Sequence, residues 1–385
     1  MSKLCYGKYT LTLKGENQKP MNKLFRKFWG VGLVVILLST LFVGVAVPAA
    51  NAAAPGWSPI PNPDNLSLPG QIVTVMDLSF KTVASDGTIF GVDKRPTSPN
   101  CNRVYKSTTH GLRWTICGAI ANITSYTNGV VDLAVSLSYA TDHTLFILAA
   151  AAATSQVYIS VNGGINFAVL GGTIAGRATC LAVSPTYVAG TGEIMVGTAD
   201  ATAVAGDPVF GTVYIWGTFG VLNWADTNLA ADVTSVAFSP NFPIDVTYLA
   251  VGSDANGTSL HAKVFSNPWD APWYFPAIVI SATITDFFNP VTGIASSAMA
   301  FPSDFNASSL LTRTCYVVLI DKTAAKANVY RVVLGLGNPG TATALKLMEF
   351  IHLVTNTTCI SYFGTTAHGI LSVGWAGPAW AHEWR

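Results

Sequence analysis

The chain has 385 residues, 11% of them charged and 50% hydrophobic, with 34 Gly, 20 Pro and a formal net charge of +1. That balance can bury a large core, and it gives no electrostatic reason to expect nucleic acid, whose phosphates demand a basic face. No acidic tail, basic block, CxxC pair or Cys/His cluster with metal spacing occurs, so neither a metal nor another cofactor is expected.

Near the start, Lys23, Arg26 and Lys27 precede an apolar run from about Phe28 to Val47, followed by Pro48-Ala49-Ala50-Asn51-Ala52. A basic stretch, an apolar stretch and a small-x-small site predict a secretory signal peptide cut after Ala52, with Met21 an alternative start. The competing reading is an uncleaved anchor, since the run approaches the roughly 20 residues that cross a bilayer. Either way the body is expected outside the membrane, secreted or at the cell surface, and any membrane contact is confined to this segment. The expected division is 1–52 as extension and signal, 53–71 as linker and 72–385 as one repetitive body.

In that body a phrase is written twice: Val104-Tyr105-Lys106-Ser107-Thr108-Thr109-His110-Gly111-Leu112-Arg113-Trp114 and Val157-Tyr158-Ile159-Ser160-Val161-Asn162-Gly163-Gly164-Ile165-Asn166-Phe167. Each copy predicts a strand, a polar turn whose Ser, Thr or Asn side chains accept hydrogen bonds from their own backbone, and a Gly that supplies positive φ. Trp114 and Phe167 would then plug the turn, each contributing about 2 to 3 kcal/mol by burial. Upstream, Asp77-Leu78-Ser79-Phe80 leads to Thr88-Ile89-Phe90, and Asp132-Leu133-Ala134-Val135 leads to Thr144-Leu145-Phe146. Later copies run from Cys180-Leu181-Ala182-Val183 to Val213-Tyr214, from Val236-Ala237-Phe238 to Val264-Phe265, and from Ala298-Met299-Ala300 to Val329-Tyr330, with a sixth opening near Cys359.

The leading Val of each pair falls at 104, 157, 213, 264 and 329, in steps of 53, 56, 51 and 65. Each unit offers four short strands separated by Gly, Pro, Asn and Asp turns, which predicts an all-β fold: a β-propeller of four-stranded antiparallel blades, about six and at most seven. A string of β-sandwiches is the alternative, but a sandwich needs about 100 residues, twice this period. The last blade is either completed by a strand around Gln71 to Met76 or missing.

The spacing Ser-x-x-x-Gly-x-x-aromatic resembles the Asp-box, or BNR repeat, of sialidase-like propellers, sortilin-type receptors, some xyloglucanases and photosystem II assembly factors. Ser107, Gly111 and Trp114 match it, as do Ser160, Gly164 and Phe167, while Thr109 and Asn162 stand at the Asp position. Weaker copies run from Ser266 to Trp273 and from Gly220 to Trp224. The resemblance covers about 200 residues and implies the fold rather than an activity.

Function is then sought on the rim. A sialidase-like site would need an arginine cluster, a Tyr beside a Glu and an acidic donor, yet after residue 52 the only Glu are Glu193, Glu349 and Glu383. A glycosidase using two Asp stays open, because rim loops carry Asp93, Arg95, Asp226, Asp254 and Asp286, together with Asp207, Asp232 and Asp321. Turn chemistry accounts for most such Asp, and Asp254-Ala255-Asn256-Gly257 reads as a tight turn before a calcium site. Cys101 and Cys117 bracket the first hairpin and form the candidate disulfide; Cys180 and Cys359 open similar strand phrases and are expected to be buried. No catalytic residue is assigned. The expectation is an exported, non-catalytic prokaryotic propeller serving as a binding or structural module, possible in a surface layer, with a cell-surface protein or glycan as partner. The alternatives are an extracellular carbohydrate-active hydrolase and an assembly factor resembling those of photosystem II.

Overall fold

The computed structural model describes residues 78–94, 101–200, 210–254, 256–275, 278–281, 284–286, 294–321, 327–335, 341–344 and 356–376. All of them belong to one unit, Ile60–Arg385. The proposed signal segment and the strand around Gln71 to Met76 lie outside the described residues. Among the described residues no helix is long and apolar enough to cross a membrane.

Five of the predicted units are antiparallel four-stranded sheets. The first comprises β1 (Leu78–Val83), β2 (Ile89–Asp93), β3 (Val104–Ser107) and β4 (Thr115–Ile116); the second β5 (Gly129–Val135), β6 (Leu145–Ala150), β7 (Thr154–Ser160) and β8 (Ala168–Ala175). The third holds β9 (Arg177–Val183), β10 (Ile194–Ala199), β11 (Val213–Trp216) and β12 (Trp224–Asp226); the fourth β13 (Asp232–Phe238), β14 (Thr247–Asp254), β15 (Gly257–Val264) and β16 (Trp273–Tyr274). A small hairpin, β17 (Ile278–Ser281) and β18 (Ile284–Asp286), comes next in sequence and accounts for the long 65-residue step. The fifth sheet has β19 (Ile294–Ala300), β20 (Thr314–Asp321), β21 (Ala327–Val333) and β22 (Thr341–Ala344), and β23 (Asn356–Gly364) pairs with β24 (Gly369–Ala376).

The first strands stand side by side in the order β1, β5, β9, β13, β19, β23, so the sheets are blades about an axis and β23–β24 opens a sixth. This is a β-propeller. Every one of these inner strands carries a register irregularity against its neighbour. In β5, β9 and β13 the skipped residues are Val131, Thr179 and Thr234, and an extra residue there bends the strand and sharpens its twist.

The core lies between blades. On β6, Leu145, Ile147 and Ala149 pack toward the first blade with Phe90 and Val92, while Phe146, Leu148 and Ala150 pack toward the third with Leu181 and Val196. A strand buried on both faces needs no polar alternation, which is why Leu145–Ala150 reads as one continuous apolar run.

Asp132 on β5 ties two inner strands together: its carboxylate accepts the N–H groups of Leu133 at 2.8 Å and Leu181 at 2.7 Å. Burial raises its pKa to about 6, against the lowering effect of those two hydrogen bonds. The unfolded value is about 3.9, so between about pH 4 and pH 6 the native state keeps a proton that the unfolded chain has released. Stability contributed by this residue therefore falls as pH rises through that window and is flat above it. Urea melts of wild type and Asp132→Asn from pH 4 to pH 7 should show the difference moving in the variant's favour up to about pH 6; a pH-independent difference would refute the assignment.

The bridge expected between Cys101 and Cys117 is not formed, and both thiols are free. Register explains this. The N–H of Cys117 bonds to the carbonyl of Val104, so Cys117 faces Val104 at the start of β3, while Cys101 lies three residues before it in the preceding turn. The Cys117 thiol instead enters the core between blades one and two, where burial pushes its pKa up to about 11. Cys180 is buried as expected, whereas Cys359 is exposed on β23.

Candidate functional site

Because the strands alternate in direction, loops between first and second strands and between third and fourth strands share one face of the propeller. Loops between second and third strands, and those joining one blade to the next, share the other. The twice-written phrase belongs to the first face and is a closed hydrogen-bonded turn. Ser107 Oγ accepts from Gly111 N at 2.9 Å, Thr109 Oγ1 accepts from Arg113 N at 2.8 Å, and the indole of Trp114 donates to the Gly111 carbonyl. In the second copy Ser160 Oγ accepts from Gly164 N at 2.9 Å and Asn162 Oδ1 from Asn166 N at 3.0 Å. Thr109 and Asn162 thus each supply an acceptor at the same place, and the turn closes without a carboxylate. Trp114 is buried, while Phe167 is only half-buried.

The other face carries the site. At the third blade a pocket of about 420 Å³ opens between the β10 and β11 ends, the loop after β12 and the β8–β9 junction. Its polar wall is Thr198, Asp200, Thr212, Tyr214, Asp226 and Asn228, and among the described residues no Lys, Arg or His lines it. Thr198 Oγ1 accepts from Thr212 N at 2.9 Å, and Gly211 is required between them because any Cβ there would strike the Thr198 carbonyl oxygen. Asp226 Oδ1 accepts from Thr212 Oγ1 at 2.8 Å and from Asn228 N at 2.7 Å, which sets both the Thr212 hydroxyl and the loop after β12. From the fourth blade, Asp232 Oδ1 accepts from Asp200 N at 2.7 Å and Gly211 N at 2.9 Å, clasping the base of the β10–β11 loop. Tyr214 stands across the ladder from Asp226; burial, then the Asp226 charge, raises its pKa, so its hydroxyl stays a proton donor.

Of the candidate binding residues, Asp226 lines this pocket. Asp93 does not: it is fully buried at the end of β2, where its backbone bonds to Arg103 and Asn102 close the β2–β3 loop. Asp254 Oδ1 accepts from Asn256 N and Gly257 N at the β14–β15 hairpin, which is turn chemistry. Asp286 ends β18, paired with Ile278, and Arg95 lies outside the described residues. Among the described residues no group of His, Cys, Asp and Glu is disposed to hold a metal ion. The half-buried Trp269 and Trp273 pack onto core clusters. Sequence reading missed Tyr214, which occupies the Tyr position of the repeated phrase. Tyr105 and Tyr158 are buried there, whereas Tyr214 is half-exposed, across the ladder from the exposed Asp226.

Fold and site together define a β-propeller with a carboxylate- and hydroxyl-lined pocket on one rim. No family model and no curated protein matches the sequence. Among solved structures, the chain is similar to the GH74 xyloglucanase from Xanthomonas campestris, with a TM-score of 0.47 and 14% identity over 77% of this chain, which spans 42% of that one. It is also similar to the α-L-arabinofuranosidase Arb93A from Fusarium graminearum (TM-score 0.41, 13% identity, 80% of this chain and 92% of that one). A third is YCF48 bound to D1 peptide (TM-score 0.38, 12% identity, 67% and 66%).

Proposed function

We propose that this chain is an exported, non-catalytic β-propeller with degenerate Asp-box turns, and that its third-blade pocket binds a neutral glycan at the cell surface. The observation that carries the reading is the lining itself: an aromatic hydroxyl, two Thr, an Asn and two Asp around about 420 Å³, with no cation among the described lining residues to hold an anionic sugar. Hydroxyl-rich ligands are recognised by such acceptors beside a ring.

A neutral-glycan array followed by titration calorimetry tests the proposal. Tyr214→Ala and Asp226→Ala should each weaken the retained glycan about tenfold or more; no retained glycan, or unchanged affinity in both variants, would overturn it. The hydrolase alternative draws on Asp200 and Asp226 sharing one pocket, and predicts release of reducing ends that Asp226→Asn abolishes. Export is tested separately: the secreted chain should begin at Ala53.

A further inference from the structure

Three Asn-Gly pairs occur in the chain: Asn128–Gly129, Asn162–Gly163 and Asn256–Gly257. A glycine, lacking a Cβ, lets its backbone nitrogen approach the side-chain amide carbon of the Asn before it, the contact that closes a five-membered succinimide ring. That nitrogen is an amide and attacks only as its proton is removed, so the group its N–H points at governs how readily the ring forms.

The three pairs are held differently. Gly129 N donates to the Tyr126 carbonyl at 2.7 Å, and Gly163 N to the His143 carbonyl at 2.9 Å. A peptide carbonyl orients an N–H but does not take its proton. Asn162 is fixed further through Oδ1, which accepts from Ser160 Oγ at 2.9 Å and Asn166 N at 3.0 Å. Gly257 N instead donates to a carboxylate, Asp254 Oδ1, at 3.1 Å, and the same oxygen accepts from Asn256 N at 2.7 Å. The hairpin that carries this turn is firm: β14 and β15 pair without a register shift from Thr247 and Val264 up to Asp254 and Gly257. Beneath the turn, Ser253 and Thr258 are buried with their hydroxyls 2.9 Å apart, while Asn256 is exposed on the face that carries the pocket.

We propose that Asn256 is a self-modification site at which Asp254 is the general base. Gly257 N bonds to Asn256 Cγ as its proton passes to the Asp254 carboxylate. The bond from Cγ to the side-chain nitrogen then breaks, and ammonia leaves with that proton, returning Asp254 to its starting state. Water opens the ring at either carbonyl and leaves an aspartate or an isoaspartate at position 256. Nothing is oxidised or reduced, and each event takes the formal net charge of the chain from +1 to 0.

Peptide mapping by mass spectrometry of the folded full chain, held at about pH 7, tests this, with the other two pairs as internal controls. Asn256 should convert to the acid about tenfold or more faster than Asn128 or Asn162, and Asp254→Asn should remove that advantage. The variant keeps a side-chain oxygen for the turn and loses only its basicity, whereas a merely loosened turn would speed conversion. Asn256 converting no faster than the other two, or as fast or faster in Asp254→Asn, overturns the proposal. So does an advantage that persists undiminished in the urea-unfolded chain, where Asp254 is no longer held against Gly257.

Discussion

Replacing Asp245 by Ala should destabilise the protein by about 3 to 5 kcal/mol, because the substitution strands three donors at once inside a packed junction. Asp245 closes the one-turn helix Phe242–Asp245 and is 4% exposed. Its Oδ2 accepts from Ser239 Oγ at 2.6 Å and from Ala307 N, in the next blade, at 2.9 Å; its Oδ1 accepts from Thr247 N at 3.3 Å. The side chain therefore shapes its own loop and latches blade four to blade five. Asp142 repeats the pattern two units earlier, accepting from Ser136 Oγ at 2.7 Å, Thr144 N at 2.9 Å and Ala189 N at 3.2 Å, but it is less buried. The expected order of loss is Asp245→Ala, then Asp142→Ala, then the exposed Asp226→Ala, which should stay within about 1 kcal/mol. Thermal melts check this, with a fall of roughly 4 to 7 °C for Asp245→Ala. A loss no larger than that of Asp226→Ala would show that the latch carries no stability.

The repeat was legible because each blade solves the same packing problem. Alternate positions of Leu145–Ala150 face different neighbours, so the apolar runs, their spacing and the Gly that ends each phrase all report the blade. The latch was written there too, as Ser136-x-x-Tyr139-x-x-Asp142 and Ser239-x-x-Phe242-x-x-Asp245, but a local motif does not say that its carboxylate reaches another blade. The site was less legible. Rim Asp residues are visible in sequence, yet whether one lines a pocket, as Asp226 does, or closes a turn, as Asp254 does, depends on what surrounds it. Tyr214 shares the Val-Tyr pair of its buried counterparts, and only the fold shows that it stands half-exposed across from Asp226. Cys101 and Cys117 misled for the same reason, since bracketing a hairpin does not fix the register of its ends.

Gly164→Ala should cost about 2 to 4 kcal/mol, and the excess over backbone strain should vanish when Cys117 is shortened. Gly164 holds φ at +84°, a conformation that costs an L residue about 1 to 2 kcal/mol. Added to that, a Cβ would stand 2.8 Å from Cys117 Sγ and 3.3 Å from its Cβ, in a junction where Gly118 N also donates to the Gly164 carbonyl at 2.7 Å. Overpacking of this kind costs about 1 to 3 kcal/mol. Gly190, at φ +94° with nothing within 4 Å of its would-be Cβ, isolates the backbone part: Gly190→Ala should lose only about 1 kcal/mol. In the double variant Cys117→Ala/Gly164→Ala the steric part is relieved, so the combined loss should fall short of the sum of the two single losses by about 1 kcal/mol or more. Strict additivity in urea melts would mean that the phrase's second Gly is held by its φ alone, and that the turn and the blade junction are built independently.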